Sequence, residues 1–202
     1  NYILKNDLLK NLVDGKDIFA SVNNGQTIDL TKVDIIKAKE NSIDELNVLA
    51  PANKYIEISY SYNKARDRLI LNDSDQTLLE YLYYWLNGNE ETILAFNTDE
   101  EDVNIYTSLR YEIPDAKAKH LLIIPSLDKY YFAQAAGFEN IILDLRQADI
   151  KDDDLIDFLG AHSLYALIVN EKTFNMDLLD DLYSQGVLVY YEKGGSYKIL
   201  TN

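Results

Sequence analysis

Apolar side chains recur along the chain with two periods, and the changes between them mark out the elements. Leu4, Leu8, Leu9, Leu12 and Val13 repeat at helical spacing, which predicts an N-terminal helix within residues 1–16, stopped at Gly15. Asp17–Val22 reads as a short apolar strand. Ser42–Leu49 reads as a helix, with Ser42 as N-cap and Glu45 completing a capping box. Lys54–Ser61 alternates as a strand does, Arg68–Leu71 and Thr92–Phe96 are further strands, and Gln76–Leu86 and Asp99–Arg110 read as helices. The second half is more regular. Strands are expected at Lys119–Ile124, Asn140–Leu143, Leu164–Val169 and Val187–Tyr191, with an edge at Lys198–Leu200. Helices are expected at Leu127–Ala136, Lys151–Leu159 and Met176–Ser184, each followed by a glycine: Gly137, Gly160 and Gly186.

About eight strands separated by helices, several of them apolar on both faces, predict an α/β fold with parallel strands and right-handed crossovers. Eight such units in one domain favour a (β/α)8 TIM-type barrel, with an open doubly wound sheet as the rival. At 202 residues the chain is short for a barrel, so a trimmed or irregular one is expected. No linker divides it, and residues 1–202 read as one domain.

Composition narrows the function. Thirty-four acidic and 19 basic residues give a formal charge of −15. That argues against nucleic acid, which is held by Lys and Arg on phosphates, and against anionic lipid surfaces. There is no cysteine, so thiolate metal sites, disulfides and cysteine nucleophiles are excluded. No apolar run is long enough to span a membrane. The first residue is Asn1 rather than Met, which reads as a segment excised from a larger protein. The sixteen tyrosines read as strand and helix surface, the alternative being stacking on a sugar or a protein partner.

In a barrel, reactive groups stand at the C-terminal ends of the strands, here called the rim. Those positions hold Ser21 and Asn23, Glu57 and Ser59, Asn72 and Asp73, Asn97 and Asp99, Ser126 and Asp128, Asp144 and Arg146, Asn170 and Glu171, then Glu192 and Lys193. The rim is polar and holds no histidine. His120 falls at the start of a strand and His162 in a loop, where structural roles are expected. Asp99-Glu100-Glu101-Asp102 and Asp152-Asp153-Asp154 read as acidic helix N-termini, which suit the helix dipole. Asn72-Asp73-Ser74-Asp75 reads as an acidic turn on the rim. Arg66, Arg68 and Arg146 read singly as surface salt-bridge partners.

Several fragments, taken in order, resemble the glycerophosphodiester phosphodiesterase family, one of the phosphatidylinositol phospholipase C-like barrels. Glu40-Asn41-Ser42 is similar to the family's E-N-[ST], and Tyr55-Ile56-Glu57-Ile58-Ser59 to its second strand, hydrophobic-E-hydrophobic-D. Leu69-Ile70-Leu71-Asn72-Asp73 is similar to its third strand with the H-D ending, and Thr77-Leu78 to the T-L that opens the next helix. Ile124-Pro125-Ser126, Ala136–Leu143 and Gly186–Tyr190 are similar to its later strands. The resemblance implies a barrel over about Asp17–Tyr191, two catalytic histidines and a divalent cation on carboxylates.

The departures fall on those functional positions. Ser21 stands where the first histidine would be and Asn72 where the second would be, and neither titrates near neutral pH as imidazole does. Glu57 matches a metal ligand, but Ser59 replaces the Asp, and Ala95 or Phe96 replaces a later Glu. One carboxylate is a poor site for Ca2+ or Mg2+, which take several hard oxygens. The expectation is therefore a non-catalytic barrel with no catalytic residue, no metal and no cofactor. It would act as a binding or scaffolding module of a bacterial cell-envelope protein, extracytoplasmic or anchored through a segment outside this sequence. A degenerate rim of Ser21, Asn23, Glu57, Ser59, Asn72, Asp73 and Glu192 would hold a glycan or another protein domain. The alternative is a divergent hydrolase, a phosphodiesterase or a glycosidase, using Glu57, Asp73 or Glu192 as acid and base.

Overall fold

The computed structural model describes residues 35–37, 55–72, 75–86, 93–193 and 196–201. The expected elements at 1–16, 17–22 and 42–49, and the rim residues Ser21, Asn23 and Asp73, lie outside them. The strands are β1 (Ile35–Lys37), β2 (Tyr55–Asn63), β3 (Arg68–Leu71), β4 (Leu94–Asn97), β5 (Leu121–Ile124), β6 (Ile141–Asp144), β7 (Ala166–Val169), β8 (Leu188–Lys193) and β9 (Ser196–Ile199). The helices are α1 (Leu78–Leu86), α2 (Asn104–Glu112), α3 (Ala116–Lys119), α4 (Leu127–Ala135), α5 (Asp152–Ala161) and α6 (Leu179–Ser184), the last preceded by a 3-10 turn at Met176–Leu178.

Strands β2, β4, β5, β6, β7 and β8 pair side by side and all parallel, with helices in the connections from β4 onward. β1 is parallel to β2, and β9 is antiparallel to both β8 and β1. The sheet is therefore α/β and mostly parallel, as its alternating pattern predicts. β5 explains why these strands read as unbroken apolar runs: Leu121, Leu122, Ile123 and Ile124 are all buried, because both faces of the sheet are covered.

The two faces feed separate apolar clusters. Ile58, Leu94, Phe96, Leu122, Ile124, Leu143, Leu167 and Val189 pack against Leu109, Tyr130, Ala133, Leu155, Phe158 and Leu182 of the helices. The other face packs mainly strand on strand, with Tyr183 of α6 against it. Ala95, Leu121, Ile123, Ile142, Ala166, Ile168, Leu188, Tyr190, Tyr197 and Ile199 are each at most 8% exposed, joined by Tyr165 from a loop. A fully buried Leu or Ile contributes about 1.5–3 kcal/mol, so this second cluster is a core in its own right.

Four sequence expectations are corrected. Arg68–Leu71 is not another parallel strand: β3 turns back on β2 as an antiparallel hairpin, with Tyr60 opposite Leu71. Asn63 Oδ1 accepts the N–H groups of Ala65 and Arg66 in its turn. The C-terminal strand is not an edge, since β9 lies between β8 and β1. α5 runs through Gly160 to Ala161, where an added Cβ would meet nothing. Among the described residues the tyrosines are not mainly on the surface: Tyr60, Tyr81, Tyr106, Tyr130, Tyr190 and Tyr197 are core, while Tyr83, Tyr111 and Tyr131 are exposed. β1 and α3 carry no signal in the sequence reading. Gly137 and Gly186 do end their helices, at φ of +94° and +74°. At each, the next residue donates back to the helix, Phe138 to Ala133 O at 3.1 Å and Val187 to Leu182 O at 2.9 Å.

Candidate functional site

The polar groups of the rim are set by strand alternation. In β6, Ile142 and Asp144 share the strand-on-strand face; in β8, Leu188, Tyr190 and Glu192 do. Because β9 is antiparallel, Tyr197 near its start stands opposite Glu192, at the same end of the sheet. Glu57 is in register with Ala95, and Ser59 with Asn97.

Asp144, with a fully buried side chain, is the anchor. Its carboxylate accepts from Arg146 N at 3.1 Å, Arg146 Nε at 2.9 Å, Arg146 Nη2 at 2.8 Å and Gln147 Nε2 at 3.0 Å. The guanidinium also donates from Nη2 to the Tyr197 hydroxyl at 3.1 Å and from Nη1 to Glu192 Oε2. Its Cζ lies over the Tyr197 ring, 5.2 Å from the centroid. Burial works against the Arg146 charge, but the Asp144 and Tyr197 contacts outweigh it and push the pKa up. Arg146 is thus a fixed cation, not a lone surface partner. Tyr197 is held protonated, first by burial and then by the field of Glu57, with Glu192 adding less, and Arg146 opposes them without reversing the outcome.

The second half of the rim is Glu57, only 2% exposed, whose Oε1 accepts from Asn97 Nδ2 at 2.9 Å. Ser59 O accepts from Asn72 N at 3.1 Å, so the β2–β3 hairpin returns Asn72 to the rim beside Ser59. Of the residues read from the sequence, Glu57, Ser59 and Asn72 therefore gather around β2, and Glu192 joins Arg146. Asp144 and Arg146 were read as rim positions without being joined, and Tyr197 was missed. Its signal is Lys193-Gly194-Gly195-Ser196: two glycines between alternating segments mark a tight hairpin, which folds the following tyrosine back beside Glu192.

Both histidines are engaged elsewhere. His120, 1% exposed, precedes β5 at the opposite end of the parallel strands. Its Nδ1 accepts from Leu94 N at 3.0 Å, and its ring meets Phe96 edge-on. Burial, and secondarily the Lys119 charge, lower its pKa to about 3, so it is neutral. His162 ends α5 among Tyr130, Tyr131 and Phe158 on the outer surface.

The acidic stretch before α2 does more than precede a helix. Glu100 Oε1 accepts from Tyr62 N at 3.0 Å, fixing β2, and Asp102 Oδ1 accepts from Asn104 N at 2.9 Å. Asp99, Glu100, Glu101 and Asp102 line a cavity of about 490 Å³ with Tyr62 and Lys64. Among the described residues no three His, Cys, Asp or Glu side chains are grouped to hold a metal ion, and no helix is long and apolar enough to cross a membrane. Neither the models of known protein families nor the curated protein sequences contain a match to this chain.

Proposed function

We propose that the protein is a non-catalytic binding or scaffolding module on a closed (β/α)8-type barrel, resembling glycerophosphodiester phosphodiesterases. Two features support closure. β1 bonds both to β2 and to β9, which joins the two ends of the parallel run. Among the described residues the second cluster is built almost wholly from strand side chains, as a barrel interior is, with Tyr183 of α6 packed against it.

The observation that carries the functional reading is the Arg146 network. It crosses the rim from β6 to β8 and β9, where a phosphodiesterase of this kind would seat its substrate. Asp144 is fully engaged there, and neither histidine is at that end. A glycan or another protein domain is the proposed partner. A bacterial cell-envelope setting, extracytoplasmic, rests on the resemblance alone.

Divalent-metal titration with thermal melting, alongside a glycerophosphodiester turnover assay, tests this. An ion present at a hundred times its Kd would stabilise by about 2.7 kcal/mol. The expected result is no change in melting temperature with millimolar Ca2+, Mg2+ or Mn2+, and no turnover. Metal-dependent hydrolysis abolished by Glu57→Ala overturns the reading.

A further inference from the structure

The Arg146 network is uneven. Asp144 holds the residue through three of its nitrogens, Tyr197 steadies Nη2 and faces the guanidinium with its ring, and Glu192 takes Nη1 alone. Asp144 is fully buried, whereas the Glu192 side chain is 36% exposed and has one carboxylate oxygen on the guanidinium. The Asp144 and Tyr197 contacts of Arg146 do not depend on Glu192. We propose that Glu192 occupies a carboxylate seat, and that a ligand bearing a single carboxylate binds this protein by displacing it from Arg146 Nη1. The inference rests on the reading of the rim as a binding site and names the chemistry that site takes.

Three physical points support it. The donor is ordered in advance, so little orienting freedom is lost when a ligand carboxylate arrives. A carboxylate reproduces the charge-assisted bond that Glu192 makes. Asp144 already neutralises the guanidinium, and the field of Glu57 reaches Tyr197 beside it, so a dianion such as phosphate adds repulsion that a like-for-like exchange does not.

The test is titration of the 15N-labelled protein with acetate and, separately, inorganic phosphate at fixed ionic strength, following the Arg146 Nε–H signal. Wild type is compared with Glu192→Ala. Removing the internal competitor is expected to tighten acetate by about five-fold and to leave phosphate the weaker ligand. Glucuronate binding tighter than acetate would point to sugar acids as the source, and acetyl-alanyl-alanine binding tighter would point to peptide C-termini. If Glu192→Ala disturbs the fold, Glu192→Gln serves, because it keeps the shape and removes the charge. Equal acetate affinity in wild type and variant overturns the proposal, as does phosphate binding ahead of acetate. Phosphodiester turnover with the acetate gain intact would sink the non-catalytic reading and leave this one standing.

Discussion

Two bases, one buried and one partly exposed, sit at opposite ends of the parallel strands and meet opposite fates. His120 lies beneath β4 and β5 with Leu94 N, Phe96 and the Lys119 charge around it, and it stays neutral. Arg146 lies at the rim against the buried carboxylate of Asp144, and it stays charged. Burial penalises both cations; only a carboxylate in bidentate contact reverses the outcome. The base at one end is thus kept neutral, while the other end keeps a fixed ion pair in reach of solvent.

The comparison is broken most sharply by removing the anchor. Asp144→Ala leaves a guanidinium with only Glu192 and Tyr197. It is expected to cost about 3 kcal/mol, the low end for breaking a buried pair, because the Arg146 side chain is 24% exposed and can turn outward. Urea unfolding measures it. A loss below that of His120→Ala would mean that Asp144 is not the anchor.

His120→Ala is next, at about 1–3 kcal/mol, since Leu94 N then loses its acceptor in the core. This site also has a pH signature. The folded pKa of about 3 lies below the ordinary 6.5, so the unfolded chain binds the extra proton between those values. Stability is therefore complete above about pH 6.5 and falls with acid, by at most about 1.4 kcal/mol per pH unit from this group. Stability curves of wild type and His120→Gln between pH 7 and pH 4 should converge as the pH drops. Curves that stay parallel would show that His120 carries a proton in the fold.

Glu192→Ala should cost only about 0.2–1 kcal/mol, as a partly exposed partner does. A larger loss would make Glu192 a second anchor and close the seat it occupies.

The smallest effect has the opposite sign. Glu112 Oε1 accepts from Leu69 N at 3.1 Å, while Oε2 is buried without a hydrogen bond. Burial raises its pKa, so the folded state favours the protonated form and this group's contribution grows as the pH falls through the folded pKa. Glu112→Gln should slightly raise the melting temperature at pH 7 and lose that advantage at pH 4.

The parallel strands from β4 to β8 were readable because strands covered on both faces leave runs such as Leu121–Ile124, and Gly137 and Gly186 mark the helix ends. β3 was misread although the sequence held the correction. Lys64-Ala65-Arg66-Asp67 is far too short for a parallel crossover, which takes a dozen or more residues. The same arithmetic applies to Gly194-Gly195 and β9. β1, three residues long, offers no period to detect. Glu57 and Glu192 were visible at strand ends, but the grouping of Asp144, Arg146 and Tyr197 depends on a strand reversal that brings residues 51 positions apart into contact. Periodicity along the chain does not register that contact.

The direction of β9 also decides where a handle belongs. β8 climbs towards the rim and β9 descends from it, so Leu200, whose N–H reaches Val189 O at 2.9 Å, lies away from Arg146 and Glu192. A dye or surface linker joined beyond Leu200 would leave the rim facing the solution, whereas one joined between β8 and β9 would enter at the end that holds Glu192 and Tyr197.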